Sequence, residues 1–283
     1  MDRRGFLRAS AAAAGAVAAS GRPVAGEARR QPASPGADEF PHVDLHVHLT
    51  REFPIERMVK LAETRNATFG IVEHPASWAI KDDADLRRYI EGLRPYPAYV
   101  GLQPMEPGWD ESFSAGALAG LDYVLMDPQS IPLADGGYQR IWELQTYVED
   151  AEEFMARYMA HCLRVLNREP IQIFGWPLFL PVCIARDYYT LWTQERMQTI
   201  VSAAKARNIA LEINDMSHTP DERFILMARE QGLKFTFGSD ARNADAGRLS
   251  YCKSVARRCG LTRADFYVPR RKTDTTPAPS SAR

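Results

Sequence analysis

An excess of charge is missing from this 283-residue chain, in which 35 lysines and arginines stand against 36 aspartates and glutamates. The first 30 residues hold six of the arginines, with only Asp2 and Glu27 in return. The rest of the chain is mildly acidic, which argues against nucleic acid or an anionic membrane surface as partner. Cysteine is scarce as well, and four thiols in a chain of this length make neither a disulfide framework nor a zinc motif. Cys252 and Cys259 lie on one expected helix, roughly 10 Å apart by helical rise, too far to bridge. With Cys162 on another helix and Cys183 in a loop, buried free thiols are expected. Long apolar runs are absent too: nothing approaches the roughly 20 residues that span a bilayer. No glycine-rich phosphate loop follows any expected strand, which counts against an open nucleotide-binding sheet.

What the N-terminus does carry reads as an address. Arg3-Arg4-Gly5-Phe6-Leu7-Arg8 is a twin-arginine pattern, followed by an alanine-rich stretch from Ala9 to about Ser20. Residues 1–30 are therefore expected to be a signal peptide. With no lipobox cysteine after it, the mature protein is expected free of a membrane anchor, in the bacterial periplasm or secreted. The twin-arginine export machinery is then a partner, and its habit of carrying folded proteins suits a metal inserted before export. Residues 31–40, with Pro32, Ser34, Pro35 and Gly36, read as a linker. Residues 269–283 read as a disordered tail, which leaves 41–268 as one domain.

Within that domain short apolar runs alternate with helical periodicity. Strands are expected at 43–47, 68–72, 98–102, 123–126, 171–174, 210–213 and 234–237. Helices are expected at 55–66, 84–93, 151–167, 188–207, 221–231 and 247–259. Each strand is followed by a crossover, so the sheet is parallel, and its apolar strands require helices on the outside. Right-handed crossovers repeated this often close into a seven-stranded parallel β/α barrel, a distorted TIM-like fold.

In such a barrel the chemistry sits at the C-terminal ends of the strands. Those ends read His46 and His48, Glu73-His74, Gln103, Asp127-Pro128-Gln129, Gly175-Trp176, Glu212-Ile213-Asn214 and Ser239-Asp240-Ala241-Arg242. Residues i and i+2 of a strand share a face, so the imidazoles of His46 and His48 point together into the mouth. Neutral imidazole is a common ligand for divalent transition metals. Asp240 would add an anionic oxygen, unless it merely caps the following helix. Glu212 and Asn214 form another i, i+2 pair, suited to supporting the histidines or meeting substrate.

These residues resemble the PHP (polymerase and histidinol phosphatase) superfamily, metal-dependent phosphoesterases on a seven-stranded β/α barrel. The resemblance covers roughly residues 41–268. It is carried by Asp44-Leu45-His46-Val47-His48, Val72-Glu73-His74, Asp122-Tyr123-Val124-Leu125, Leu211-Glu212-Ile213-Asn214 and Gly238-Ser239-Asp240-Ala241. It implies that His46, His48 and Asp240 bind one metal and His74 another. The departures are informative. Gln103 stands where the family has a bridging glutamate, and Gln129, Trp176 and Arg242 stand where it has histidines. An indole cannot coordinate, an amide carbonyl brings no charge, and a guanidinium can replace a cation electrostatically.

One divalent ion, zinc, manganese or iron, is therefore expected on His46, His48 and Asp240, with Gln103 or water completing the shell. The activity expected is hydrolysis of a phosphoester, or another ester or amide, in a small-molecule substrate. Asp240, Glu212, Asp127 and Glu106 are candidate bases, and Arg242, Trp176, Asn214 and Gln129 are candidate substrate contacts. The alternative is an inactive barrel that kept a small-molecule pocket. A third reading, a mononuclear amidohydrolase-type enzyme, needs two later histidines and draws on His74, His161 and His218. Residues 129–150 form a long insertion after the fourth strand, placed to act as a lid or as surface decoration.

Overall fold

The computed structural model describes residues 39–76 and 78–272. The leader expected over 1–30, residues 31–38 of the expected linker and residues 273–283 of the expected tail lie outside the described residues.

The chain runs in order through β1 (Val43–Val47), α1 (Ile55–Thr64), β2 (Thr68–Ile71), α2 (Asp83–Leu93), β3 (Tyr99–Leu102), α3 (Ala115–Leu118) and β4 (Tyr123–Met126). Then come β5 (Ser130–Pro132), β6 (Tyr138–Arg140), α4 (Ala151–Arg168), β7 (Ile173–Phe174), α5 (Tyr188–Leu191) and α6 (Gln194–Ala206). It closes with β8 (Ala210–Asn214), α7 (Glu222–Glu230), β9 (Phe235–Gly238) and α8 (Ser250–Arg258). Seven of these strands form one parallel sheet in the order β1-β2-β3-β4-β7-β8-β9. Its two edges meet: Val47 bridges Ala241 in parallel, and the His48 N–H donates to the Ala241 carbonyl at 3.0 Å. The expected seven-stranded β/α barrel is the fold found.

Alternation along the strands sorts the apolar residues into two layers. Leu45, Val72, Tyr123, Leu125, Ile173 and Ala210 form a small cluster of strand residues that fills the barrel. Their neighbours, such as Phe69, Val124, Phe174 and Leu211, pack outward against the helices. Room inside is tight. A side chain on Gly101 would run into the Tyr123 ring, so glycine there lets the ring cross the interior. The β1 ladder shifts register between Asp44 and Val47. Simple alternation therefore fails in β1: Leu45 packs in the interior cluster while its neighbour His46 also turns inward, toward Glu212.

Three expectations about helices and loops need correction. The helix expected over 188–207 is broken: α5 ends at Leu191 and α6 starts afresh at Gln194, because the Thr193 hydroxyl caps the Arg196 N–H. The helix expected from 247 begins three residues later, since Gly247 and Leu249 both take positive φ. The 129–150 insertion contains an antiparallel hairpin, β5 with β6, ahead of the Asp150 cap that starts α4. Contacts also form at both ends of the barrel segment. Phe40 is buried edge-on against Phe237, and Arg271 donates to the carbonyls of Arg94 and Tyr96. Among the described residues no helix is long and apolar enough to cross a membrane. Cys162, Cys252 and Cys259 are buried as expected, whereas Cys183 is exposed.

Candidate metal centre

His46 and His48 end β1 and Asp240 follows β9, so barrel closure alone brings the three side chains together. Asp240 Oδ1 lies 3.4 Å from His46 Nε2 and 3.2 Å from His48 Nε2. All three residues are buried, and one ligand atom from each falls within 4.8 Å of the others. Neither Nε2 atom has a hydrogen-bond partner, although each is shut away from solvent. A buried nitrogen left unpaired costs free energy, and two aimed at one carboxylate oxygen form a donor set that could hold a cation. The spacing fits. Tetrahedral bonds of about 2.0–2.1 Å place ligand atoms roughly 3.3 Å apart.

Three neighbours set up these ligands. Glu212, on β8, accepts from His46 Nδ1 at 2.7 Å and from the Trp176 N–H at 2.8 Å. Its carboxylate fixes a proton on Nδ1, so Nε2 is the nitrogen turned toward a cation. Gly238 makes this possible, because a side chain there would come within 2.8 Å of both the His46 Cβ and the Glu212 carboxyl carbon. Asp44 lies beneath, fully buried, and accepts from the N–H groups of His46, Ser239 and Gly247. It ties β1 to the loop that carries Asp240. Asp240 itself sits at φ +50°, a strained setting for a residue other than glycine. That loop is held in place by the Ser239 hydroxyl, which accepts from the Ala241 N–H at 3.2 Å.

Charge in the cluster is shared unevenly. Burial disfavours a charged His46, but the carboxylates of Asp240 and Glu212 overcome it and lift the imidazole to about 10. Burial pushes His48 down to about 4, aided by the charge on His46 and opposed by Asp240. Burial would raise Asp240, yet His46, His48 and Arg242 together hold it well below the usual carboxylate range. Near neutral pH, with no metal bound, His46 thus holds one proton more than a neutral imidazole, and His48 holds no extra proton. Cation uptake is expected to expel the extra proton of His46, so affinity falls as the pH drops. Calorimetric titration with zinc in buffers of different ionisation enthalpy is expected to report about one proton released per ion at pH 7. Zero release would contradict this charge assignment.

The remaining residues line up less evenly. Gln103, Asp127, Gln129, Trp176, His74 and Arg242 all line the cavity of ≈ 500 Å³ that opens above Asp240. Arg242 donates to Asp240 Oδ1 at 2.6 Å, placing a permanent cation beside the triad. His74 stacks on His48 with ring centroids 5.1 Å apart, and its Nδ1 donates to the Gln103 backbone carbonyl. It is not one of the three clustered ligands. Gln103 gives its amide nitrogen to Asp127 Oδ2 at 2.9 Å. Asp127 also accepts from the Gln129 N–H, and burial lifts its carboxyl to about 6 in spite of these bonds.

The other candidate residues meet different partners. Glu212 has both oxygens committed to His46 and Trp176, the first of which is the support for a histidine expected of it. Asn214 is fully buried and accepts from the N–H groups of Met216 and Ser217, which assigns it to the turn after β8. Glu106 pairs with Arg140 at 3.6 Å on the surface. His218 stacks on Tyr251 at 4.7 Å and lines a different cavity, while His161 is buried in α4. Of the three later histidines of the amidohydrolase-type reading, His74 lines the mouth, and His161 and His218 do not. Asp240 caps no helix, since α8 begins ten residues after it.

Asp44 and Trp142 contribute more than their sequence setting suggested. Asp44 offered one signal, a carboxylate inside an apolar strand, which must find partners if buried. Trp142, two residues beyond β6, lines the cavity. Glu212→Gln is expected to fold normally yet bind zinc about 10- to 100-fold more weakly, as for other groups that orient a metal-bound histidine. Equilibrium dialysis checks this, and unchanged affinity would remove Glu212 from the site. Compared with known proteins, the chain matches no protein-family model, and no curated protein matches it in sequence.

Proposed function

We propose that the barrel mouth is the active site of a hydrolase that works with one divalent cation. The observation that carries this reading is the pair of buried, unpartnered Nε2 atoms of His46 and His48 facing Asp240 Oδ1. A cation bound there would lower the pKa of a coordinated water to about 7 and polarise the scissile bond.

The chain's own residues supply the rest. His46, His48 and Asp240 hold the ion, and Glu212 keeps His46 in the ligating tautomer. Asp127 lines the same cavity, and its carboxyl, raised to about 6 by burial, titrates where a general base is effective. Arg242, half-exposed at the rim, offers its guanidinium to an anionic oxygen of the substrate. Trp176 and Trp142 wall the cavity and limit the water that enters. The resemblance to the PHP superfamily favours a phosphoester as the bond cleaved, with a carboxylic ester or amide as the other classes. The leader Arg3-Arg4-Gly5-Phe6-Leu7-Arg8 supports delivery through the twin-arginine machinery to the periplasm or beyond.

A second reading has an observation of its own. Arg242 already sits on Asp240 Oδ1, so the barrel could have exchanged catalysis for binding of a small molecule. The two separate in a panel of phosphate esters, carboxylic esters and amides, assayed on the full chain with zinc or manganese and again after chelation. Turnover in the metal-loaded protein alone supports the hydrolase. A chain that retains no divalent ion and turns over nothing refutes it.

A further inference from the structure

The floor of the cavity carries an unpaired acceptor and an unpaired donor. Gln103 follows β3 and Gln129 follows β4, and each side chain is about nineteen-twentieths buried, with 5% exposure apiece. Gln103 Oε1 and Gln129 Nε2 have no hydrogen-bond partner, and both residues line the cavity. The orientation of Gln103 is fixed by its neighbour. Both Asp127 oxygens accept, so Gln103 turns its amide nitrogen to Asp127 Oδ2 and its carbonyl oxygen away. Asp127 is fixed in turn by the Gln129 N–H on its other oxygen, at 3.1 Å. Neither the triad nor the hydrolytic scheme uses these two free atoms.

The walls above them have a different character. Trp142, Trp176, Met105 and Met216 enclose the space with two flat rings and two adaptable thioethers. At ≈ 500 Å³ the cavity holds a small organic molecule. The Trp176 backbone is at φ +44°, with its N–H tied to Glu212, so this wall is built into the ligand scaffold.

We propose that this cavity selects a flat, largely apolar molecule bearing a cyclic amide or imide edge. Its carbonyl takes the hydrogen bond of Gln129 Nε2 while its N–H donates to Gln103 Oε1. Buried groups that lose such partners penalise a ligand heavily, so the edge is read with high selectivity. A carboxylate cannot satisfy this floor, because it has no hydrogen to give Gln103. The inference rests on the reading of this mouth as a substrate site and names the group by which the substrate is anchored.

The test is a calorimetric titration of the full chain with phthalimide and with N-methylphthalimide. Both are flat and share their carbonyls, but only the first has an N–H. The titrations are run on chelator-treated protein and again with zinc restored. Phthalimide is expected to bind at least about tenfold more tightly than its N-methyl analogue in both states. Gln129→Met is expected to lose at least about tenfold in phthalimide affinity, with its zinc uptake reporting that the barrel has folded. Should that variant fail to fold, the wild-type comparison decides alone. Equal affinity for the two imides, binding of neither, or a folded Gln129→Met as tight as wild type would each overturn the proposal. A chain that takes up no ion yet discriminates the imides keeps this inference and loses the hydrolase. A chain that binds zinc yet ignores the N–H does the reverse.

Discussion

Alanine in place of His48 is expected to leave a folded barrel that can scarcely hold a divalent cation. His48 supplies one of the three ligand atoms clustered among the described residues, so its loss would remove a bond to the proposed ion. The affinity change should exceed the roughly 10- to 100-fold contributed by groups that merely orient a ligand. Stability reports the same event from another side. A ligand at a hundred times its dissociation constant stabilises the native state by about 2.7 kcal/mol. For a domain of this size that is a melting-temperature rise of roughly 5–10 °C. Wild-type protein is expected to show such a rise with zinc, and His48→Ala almost none. The metal-free variant should melt close to metal-free wild type, because truncation also removes a buried nitrogen that had no partner. An undiminished zinc-induced rise in His48→Ala would contradict the assignment of this ligand.

The second large effect lies at the other end of the barrel. Asp122 enters β4 with its carboxylate fully buried, facing Arg94, whose guanidinium is itself only 8% exposed. Arg94 Nη1 donates to both carboxylate oxygens at 2.9 Å, and the Val100 N–H adds a third bond at 2.8 Å. The Lys272 N–H reaches the same group, so one side chain ties α2, β3, β4 and the segment after the barrel. Asp122→Ala would leave Arg94 charged, buried and unpaired. Breaking a buried pair from one side costs about 3–5 kcal/mol, which lowers the melting temperature by roughly 6–20 °C. Zinc affinity should not change, since the site is at the opposite rim. The double variant Arg94→Met with Asp122→Leu is expected to recover most of the loss, because neither charge is then stranded. If Asp122→Ala melts with wild type, this pair is not what secures the lower rim.

The strands and the triad were legible because both follow from rules of one variable. Apolar runs of four or five residues separated by helical periodicity define parallel strands. The rule that chemistry sits at strand ends then selects His46, His48 and Asp240 without knowledge of any contact. Roles that depend on which neighbour takes a hydrogen bond were hidden. Glu212 was visible as a carboxylate facing inward, but nothing along β8 shows that His46 and Trp176 consume both of its oxygens. Asn214 shares that strand and spends its oxygen on the turn of Met216 and Ser217.

Backbone geometry escaped sequence reading for a similar reason. Periodicity ran through Trp192 and Thr193 unbroken, yet a hydroxyl cap divides α5 from α6. Nothing in the pattern of 247–259 reveals that Gly247 and Leu249 adopt left-handed conformations and delay α8. The bulge in β1 is the most consequential of these. It lets Leu45 and His46 both serve the interior, which strict alternation forbids. The chemistry of Trp176 and Arg242 was legible too, since an indole cannot coordinate a metal and a guanidinium is itself a cation. That Gln103 and Gln129 keep unpaired atoms over a common floor required knowing that Asp127 orients one of them.

Anomalous diffraction at the zinc absorption edge, from crystals of the full chain soaked in zinc, bears most directly on the proposed metal centre. A single strong peak is expected at about 2.0–2.2 Å from His46 Nε2, His48 Nε2 and a carboxylate oxygen of Asp240. A map with no peak between those three side chains, or with the ion bound by other residues, would contradict it.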